Sequence, residues 1–208
     1  MIRIISVDAL DQKRFRVVLD GMEGLVLYGG ELSRFGIREG ALLAEEAYEE
    51  LLDTVIKPRA RERLLRALQV SDKTEQELRL LLAREGYPRE AAEDAIAMAY
   101  RYHYIDDEAY ALRYVEQVGK KKSRRQLSAQ MQRKGFPREI IERLLEEHPL
   151  DEKAQIQALL EKKGLRPGEK ADDRQYARLM AMLARRGYSW QQISEAMEEW
   201  TDTDNVYP

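Results

Sequence analysis

The chain contains no cysteine, which excludes disulfides, thiolate nucleophiles and cysteine-ligated metals and fits a reducing compartment. Histidine is nearly as scarce. His103 and His148 are its only instances, and both fall near the ends of expected helices, where a cation suits the helix dipole better than a catalytic base. Twelve glycines and six prolines are too few for a fibrous or low-complexity chain. No apolar run approaches the ~20 residues needed to span a bilayer. The opening Met1-Ile-Arg-Ile-Ile-Ser-Val-Asp8 is unlike a secretory signal, because Arg3 and Asp8 break its apolar run. A net charge of −3 implies no general affinity for nucleic acid, so any such affinity has to come from local charge. Phosphate-cradling glycine loops, dinucleotide fingerprints and zinc-ligand spacings are missing too. The expectation is a soluble, cytoplasmic chain that is not an enzyme and needs no cofactor.

Charge is present in quantity, at 35% of residues, beside 44% hydrophobic residues. That balance belongs to a protein rich in surface helices. Residues 1–40 read differently. Ile2, Ile4, Ile5 and Val7, then Phe15 to Leu19, then Leu25 to Tyr28 are short apolar or β-branched runs separated by turn residues, with Asp20-Gly21 the strongest hairpin signal. About three antiparallel strands follow, too few to be stable unless they pack on what comes next. Gly36 and Gly40 punctuate a short connection. From Ala41 to about Val55 the apolar residues take helical spacing, giving a connecting helix over 41–56 that Pro58 limits.

Three glycines then set a repeat. Arg84-Glu-Gly-Tyr-Pro88, Arg133-Lys-Gly-Phe-Pro137 and Arg185-Arg-Gly-Tyr-Ser189 are versions of one turn, with Gly86, Gly135 and Gly187 lying 49 and 52 residues apart. Eight positions before each glycine stand Leu78, Leu127 and Leu179, and four before stand Leu82, Met131 and Leu183. Six positions after come Ala92, Ile141 and Ile193, and ten after come Ile96, Leu145 and Met197. Two amphipathic helices joined at each glycine account for this spacing. Thr74-Glu-Gln-Glu77, Ser123-Arg-Arg-Gln126 and Ser189-Trp-Gln-Gln192 match the capping box, while Asp172 or Asp173 caps the second helix of the third unit. Each glycine can take positive φ at a helix end. The fold class is therefore mainly α, with three tandem three-helix repeats preceded by a small antiparallel β domain. The expected divisions are 1–40 for the strands, 41–56 for the connecting helix, 57–105, 106–150 and 151–200 for the repeats, and 201–208 for a polar tail.

Chemistry concentrates in one stretch. Between Ala111 and Lys134 eight cations (Arg113, Lys120, Lys121, Lys122, Arg124, Arg125, Arg133 and Lys134) face a single acid, Glu116. Most such runs are solvated helix faces. Three adjacent lysines at a helix entrance, however, oppose the dipole there and bring no structural return, which favours a contact surface for phosphates or for an acidic protein face. Asp106-Asp107-Glu108 reads as a helix-start cluster favoured by the dipole rather than a metal site. Tyr100, Tyr102, Tyr104, Tyr110 and Tyr114 read as packing rather than base-stacking residues.

Ile105-Asp-Asp-Glu-Ala-Tyr-Ala111 with Tyr114, the basic loop, and the run from Leu127 through Met131 to Gly135 closely resemble the RecX family. Leu183-Ala-Arg-Arg-Gly-Tyr188, Val17-Val-Leu-Asp-Gly21 and Phe35-Gly-Ile-Arg-Glu-Gly40 extend the resemblance to nearly the whole chain. The resemblance implies three three-helix repeats and a regulator without a catalytic centre. It also implies that the partner is the RecA recombinase filament, bound in its groove, with recombinase and ATPase activity damped. The places before the second helices of the first and third repeats, Val70-Ser-Asp-Lys-Thr74 and Glu169-Lys-Ala-Asp-Asp173, are less basic than the family leads one to expect. The expected contacts thus fall on the middle repeat: Lys120, Lys121, Lys122, Arg124 and Arg125, with Arg133 and Lys134 behind them, against filament protein or DNA phosphates. The alternative is a stand-alone DNA-binding protein with helix-turn-helix-like repeats, which Glu139, Glu142, Glu146 and Glu147 on the would-be reading helix oppose.

Overall fold

The computed structural model describes residues 1–202. They divide into two compact units, residues 1–107 and those from 108 onward. Among the described residues no helix is long and apolar enough to cross a membrane.

The first unit opens with strands β1 (Ile2–Ala9), β2 (Arg14–Leu19) and β3 (Leu25–Tyr28), all antiparallel. Ile4 pairs with Leu19 and Ser6 with Val18, so Ile5 is an extra residue in β1. Ile5 faces solvent and Ile4 the core by ordinary alternation, and the bulge shifts the phase beyond it, where Val7 packs against the core. Gly21 takes φ 70° in the hairpin turn, as Asp20-Gly21 suggested. A short helix α1 (Gly29–Arg34) follows, and then a fourth strand β4 (Leu42–Leu43) pairs with β1 to give the order β3-β2-β1-β4.

Two expectations are corrected here. The helix expected from Ala41 starts at Glu45, because Leu43 buries its side chain through the sheet edge instead. Nor does the chain break at Pro58. Helix α2 (Glu45–Leu51) passes through a π-helical turn (Leu52–Ile56) directly into α3 (Lys57–Val70), with right-handed helical backbone at both junctions. A proline ring would collide with the carbonyl four residues earlier in a regular α-helix. The wider π turn ahead of it removes that collision, and Pro58 sits in the first turn of α3.

Helices α4 (Glu75–Arg84) and α5 (Arg89–Arg101) complete the first repeat. The strands' buried residues Ile4, Val17, Leu25 and Leu27 join Leu51, Ile56, Leu64, Leu78 and Leu82 in one core. The sheet is thus stabilised by packing on helices, as its small size required.

The second unit holds α6 (Asp107–Val118, whose first residue closes the first unit), α7 (Arg124–Lys134), α8 (Arg138–Glu147), α9 (Glu152–Lys162), α10 (Asp173–Arg185) and α11 (Trp190–Thr201). Two cores form, one around Leu127, Met131 and Ile141 and one around Ile156, Leu160, Leu183 and Ile193. All twelve apolar positions counted from the three glycines are buried. Gly86, Gly135 and Gly187 take φ of 82°, 86° and 87°. Thr74 and Ser189 form reciprocal capping boxes, and Asp172 accepts from Gln175 N at 2.7 Å. Ser123 makes only the serine half of its box, accepting from Gln126 N at 3.2 Å. Thr201 is the last residue of α11, and the rest of the expected tail from 203 lies outside the described residues.

Candidate functional site

The basic loop of the middle repeat is anchored at both ends by buried residues. Gly119 opens a 3₁₀ turn (Gly119–Lys121) and is buried so closely that a β-carbon there would lie 2.8 Å from Leu150 Cδ2. Its carbonyl accepts from Gln155 Nε2 at 2.8 Å. At the other end Ser123 is fully buried and donates to Arg186 O at 2.6 Å. The segment between them has little freedom except to present its side chains outward. Lys120 and Lys121 are exposed and Lys122 is half-buried in extended backbone.

Helix α7 then starts against a carboxylate from another helix. Glu152, first residue of α9, accepts from Arg124 N at 2.7 Å. The same device appears in the first unit, where the Asp107 carboxylate accepts from Glu75 N at 3.1 and 3.3 Å. Asp107 therefore serves the start of α4. Burial pushes its carboxyl above the ordinary range, against the Glu75 hydrogen bond that lowers it. Glu108 pairs with Arg143 at 2.8 Å. No group of three His, Cys, Asp or Glu able to hold a metal ion occurs among the described residues.

The seven expected contact residues separate by environment. Arg124 donates through Nη1 to Leu145 O at 2.7 Å, which ties α7 to α8. Lys134 places its ammonium 5.4 and 5.8 Å from the Tyr110 and Tyr114 ring centroids. Lys120 borders an apolar groove with Val115, Pro149 and Leu150. Arg125 and Arg133 of α7 come together with Lys122, just ahead of that helix, along one groove. Arg133 also donates to Ala129 O at 3.3 Å.

Charge pairing sets this face apart. In the first unit Arg61 grips Asp94 through two bonds of 2.6 and 2.7 Å, Arg63 grips Glu85, and Lys57 lies 2.7 Å from both Asp53 and Glu90. Arg59, Arg79 and Arg89 likewise have carboxylate partners. By contrast Lys120, Lys121, Lys122, Arg124, Arg125 and Arg133 have no carboxylate partner among the described residues.

The tyrosines divide. Tyr110 and Tyr114 pack on Phe136 at centroid distances of 5.1 and 5.8 Å, as expected of core residues. Tyr102 and Tyr104 do not, being 61% and 54% exposed, and Tyr100 sends its hydroxyl to Glu75 at 2.8 Å. Arg185 was missed by sequence reasoning about the site, although it lines the same groove as Arg125. A signal for it existed: arginine stands two residues before the turn glycine in all three repeats, as Arg84, Arg133 and Arg185.

Fold and surface together define a tandem three-helix-repeat protein with an uncompensated basic face on its middle repeat. Family models described as the second and third three-helix domains of RecX match residues 106–145 and 151–197. The regulatory protein RecX of Trichlorobacter lovleyi is 33% identical over 141 residues, covering 65% of this chain and 91% of that protein. That of Mycobacterium ulcerans is 35% identical over 136 residues, covering 62% and 78%. That of Caldanaerobacter subterraneus subsp. tengcongensis is 27% identical over 187 residues, covering 88% and 92%. The chain belongs to the RecX family. A crystal structure of regulatory protein RecX covers 96% of this chain and all of its own, with a TM-score of 0.60 at 20% identity, and so shares the fold. RecX from Lactobacillus salivarius does so over 69% of this chain and 96% of its own, with a TM-score of 0.59 at 19% identity. The relatives are named regulatory proteins, which supports a regulatory role.

Proposed function

We propose that this protein regulates a RecA-type recombinase by lying along the recombinase–DNA filament and damping its ATPase activity. One observation carries the proposal: a loop held rigid by Gly119 and Ser123 presents cations that no carboxylate of the described chain neutralises. Retaining unpaired like charges side by side costs stability, and a binding surface for an anionic partner gives that cost a purpose. Lys120, Lys121, Lys122 and Arg125 make the primary contacts, with Arg133 beside them. Arg124 and Lys134, tied to Leu145 O and the tyrosine rings, hold the surface in place.

The test is a variant with Lys120, Lys121, Lys122 and Arg125 changed to Ala and Arg124 kept. It is expected to lose inhibition of RecA ATPase on single-stranded DNA while its circular dichroism stays that of the parent. Inhibition equal to the parent's would overturn the assignment.

A further inference from the structure

The fold brings the C-terminal turn of α10 against α7, and the result is a groove of about 340 Å³ that belongs to two repeats at once. Its cations are Lys122, Arg125 and Arg133 from the second repeat and Arg185 from the third, and no carboxylate lines it. Arg185, like the other three, has no carboxylate partner among the described residues. We infer that this groove binds the phosphodiester backbone of a nucleic-acid strand. The inference deepens the reading above, and rests on it, by assigning these four residues to nucleic acid rather than to the recombinase protein.

Two features of the groove point to phosphate. The first is the state of the nearby acceptors. A helix C-terminus ordinarily repels anions because its last carbonyls are unpaired. At the end of α10 three of the last four are taken up within the turn: Arg186 N serves Met182 O and Leu183 O, Gly187 N serves Ala184 O, and Tyr188 N serves Leu183 O. The Arg186 carbonyl is taken by Ser123 Oγ at 2.6 Å. What the groove offers is thus dominated by donors. The second feature is what the floor lacks. Between the cations lie Gln126, Gln130, Ala129, Ala184 and Gly187, with no aromatic or large aliphatic side chain. A protein partner is ordinarily held by such an apolar anchor in a desolvated pocket, whereas phosphate contacts need only cations and amide donors. From Arg125 to Arg133 the face of α7 runs about 12 Å at the 1.5 Å rise of a helix, with Lys122 just ahead of its first turn, long enough to meet successive phosphates of one strand.

The experiment measures binding of a fluorescein-labelled oligothymidylate, and of a duplex of equal length, to the full chain by anisotropy across a salt series. The variants are Arg125→Ala/Arg185→Ala and, as control, Arg66→Ala, an exposed arginine that pairs with Glu62 within α3. The parent is expected to bind in a salt-dependent way. The double variant should weaken single-strand binding about tenfold or more and flatten the log–log salt slope by about 1.4, twice the ~0.7 contributed by one single-strand phosphate contact. The control should match the parent. No binding of either probe by the parent at low salt, or an unchanged affinity and slope in the double variant, overturns the inference. Loss of RecA inhibition with strand binding unchanged places the groove on protein, which overturns this inference and leaves the proposed function standing. Loss of strand binding with RecA inhibition unchanged supports the groove as a phosphate site and counts against the filament reading for these residues.

Discussion

Asp107 shows how much a single side chain does here that its neighbours in sequence do not reveal. Its carboxylate, nearly buried, satisfies the first N–H of α4, thirty-two residues away. Burial raises its pKa above the ordinary carboxylate range. The folded state therefore holds that proton more tightly than the unfolded chain does. Stability associated with Asp107 is highest at low pH and is lost as pH rises from the unfolded pKa through the raised folded one. Asp107→Asn keeps an oxygen for Glu75 N and is expected to remove that decline. Asp107→Ala leaves the N–H without its acceptor and should cost about 1 kcal/mol, read from urea midpoints. Asp94 behaves in the opposite sense, since the Arg61 hydrogen bonds hold its carboxyl below the ordinary range. Asp94→Asn should thus lower the urea midpoint at neutral pH, with the difference from the parent shrinking as pH falls through the range where Asp94 protonates.

At the scale of elements, the joint between the second and third repeats is built on Gly187. A β-carbon there would lie 2.8 Å from Ser123 Oγ and 3.2 Å from Arg125 Cβ, and the residue also takes positive φ. Gly164 has nearly the same φ, at 86°, with nothing within 4 Å of a β-carbon. Comparing the two separates backbone strain from contact. Gly164→Ala is expected to cost about 1 kcal/mol from the left-handed conformation alone. Gly187→Ala should cost roughly 1–2 kcal/mol more in chemical denaturation, because Ser123 and Arg125 must also move. Equal costs would mean the joint is looser than its geometry indicates. The positive φ was legible in the sequence from the spacing of three glycines. The contact with Ser123 was not, because the two residues are sixty-four positions apart and no periodicity links them.

At the scale of the whole molecule, a net charge of −3 conceals two different arrangements. In the first unit six of the eight arginines of α3 to α5 meet a carboxylate on a neighbouring turn or helix. In the second, Arg124, Arg125 and Arg133 of α7 and Arg185 at the end of α10 have no carboxylate partner among the described residues. The cores are likewise separate: one spans the sheet and first repeat, and two serve the second and third repeats. Leu127, fully buried in the core of the second repeat, is expected to cost about 2–5 kcal/mol on truncation to Ala. Hydrogen exchange should then speed up in residues from 108 onward and leave the amides around Leu64 and Leu78 protected. Uniform acceleration throughout would show a single cooperative unit instead.

The sequence by itself determined the repeats, their caps, their turn glycines and all twelve of the buried positions counted from them. Each of these depends on interactions within about ten residues, where helical periodicity and capping chemistry act. It also singled out the basic loop, since an excess of like charge is a property of composition. Only the tertiary structure decided that Leu42 and Leu43 form a strand, that π-helical turns carry the chain past Pro58, and that Asp107 and Glu152 serve helices other than their own. It alone placed Arg185 beside Lys122, Arg125 and Arg133 and set Arg124 and Lys134 apart from them. Most of those outcomes depend on which surfaces meet across twenty or more residues, and packing chooses among arrangements that local chemistry leaves equivalent.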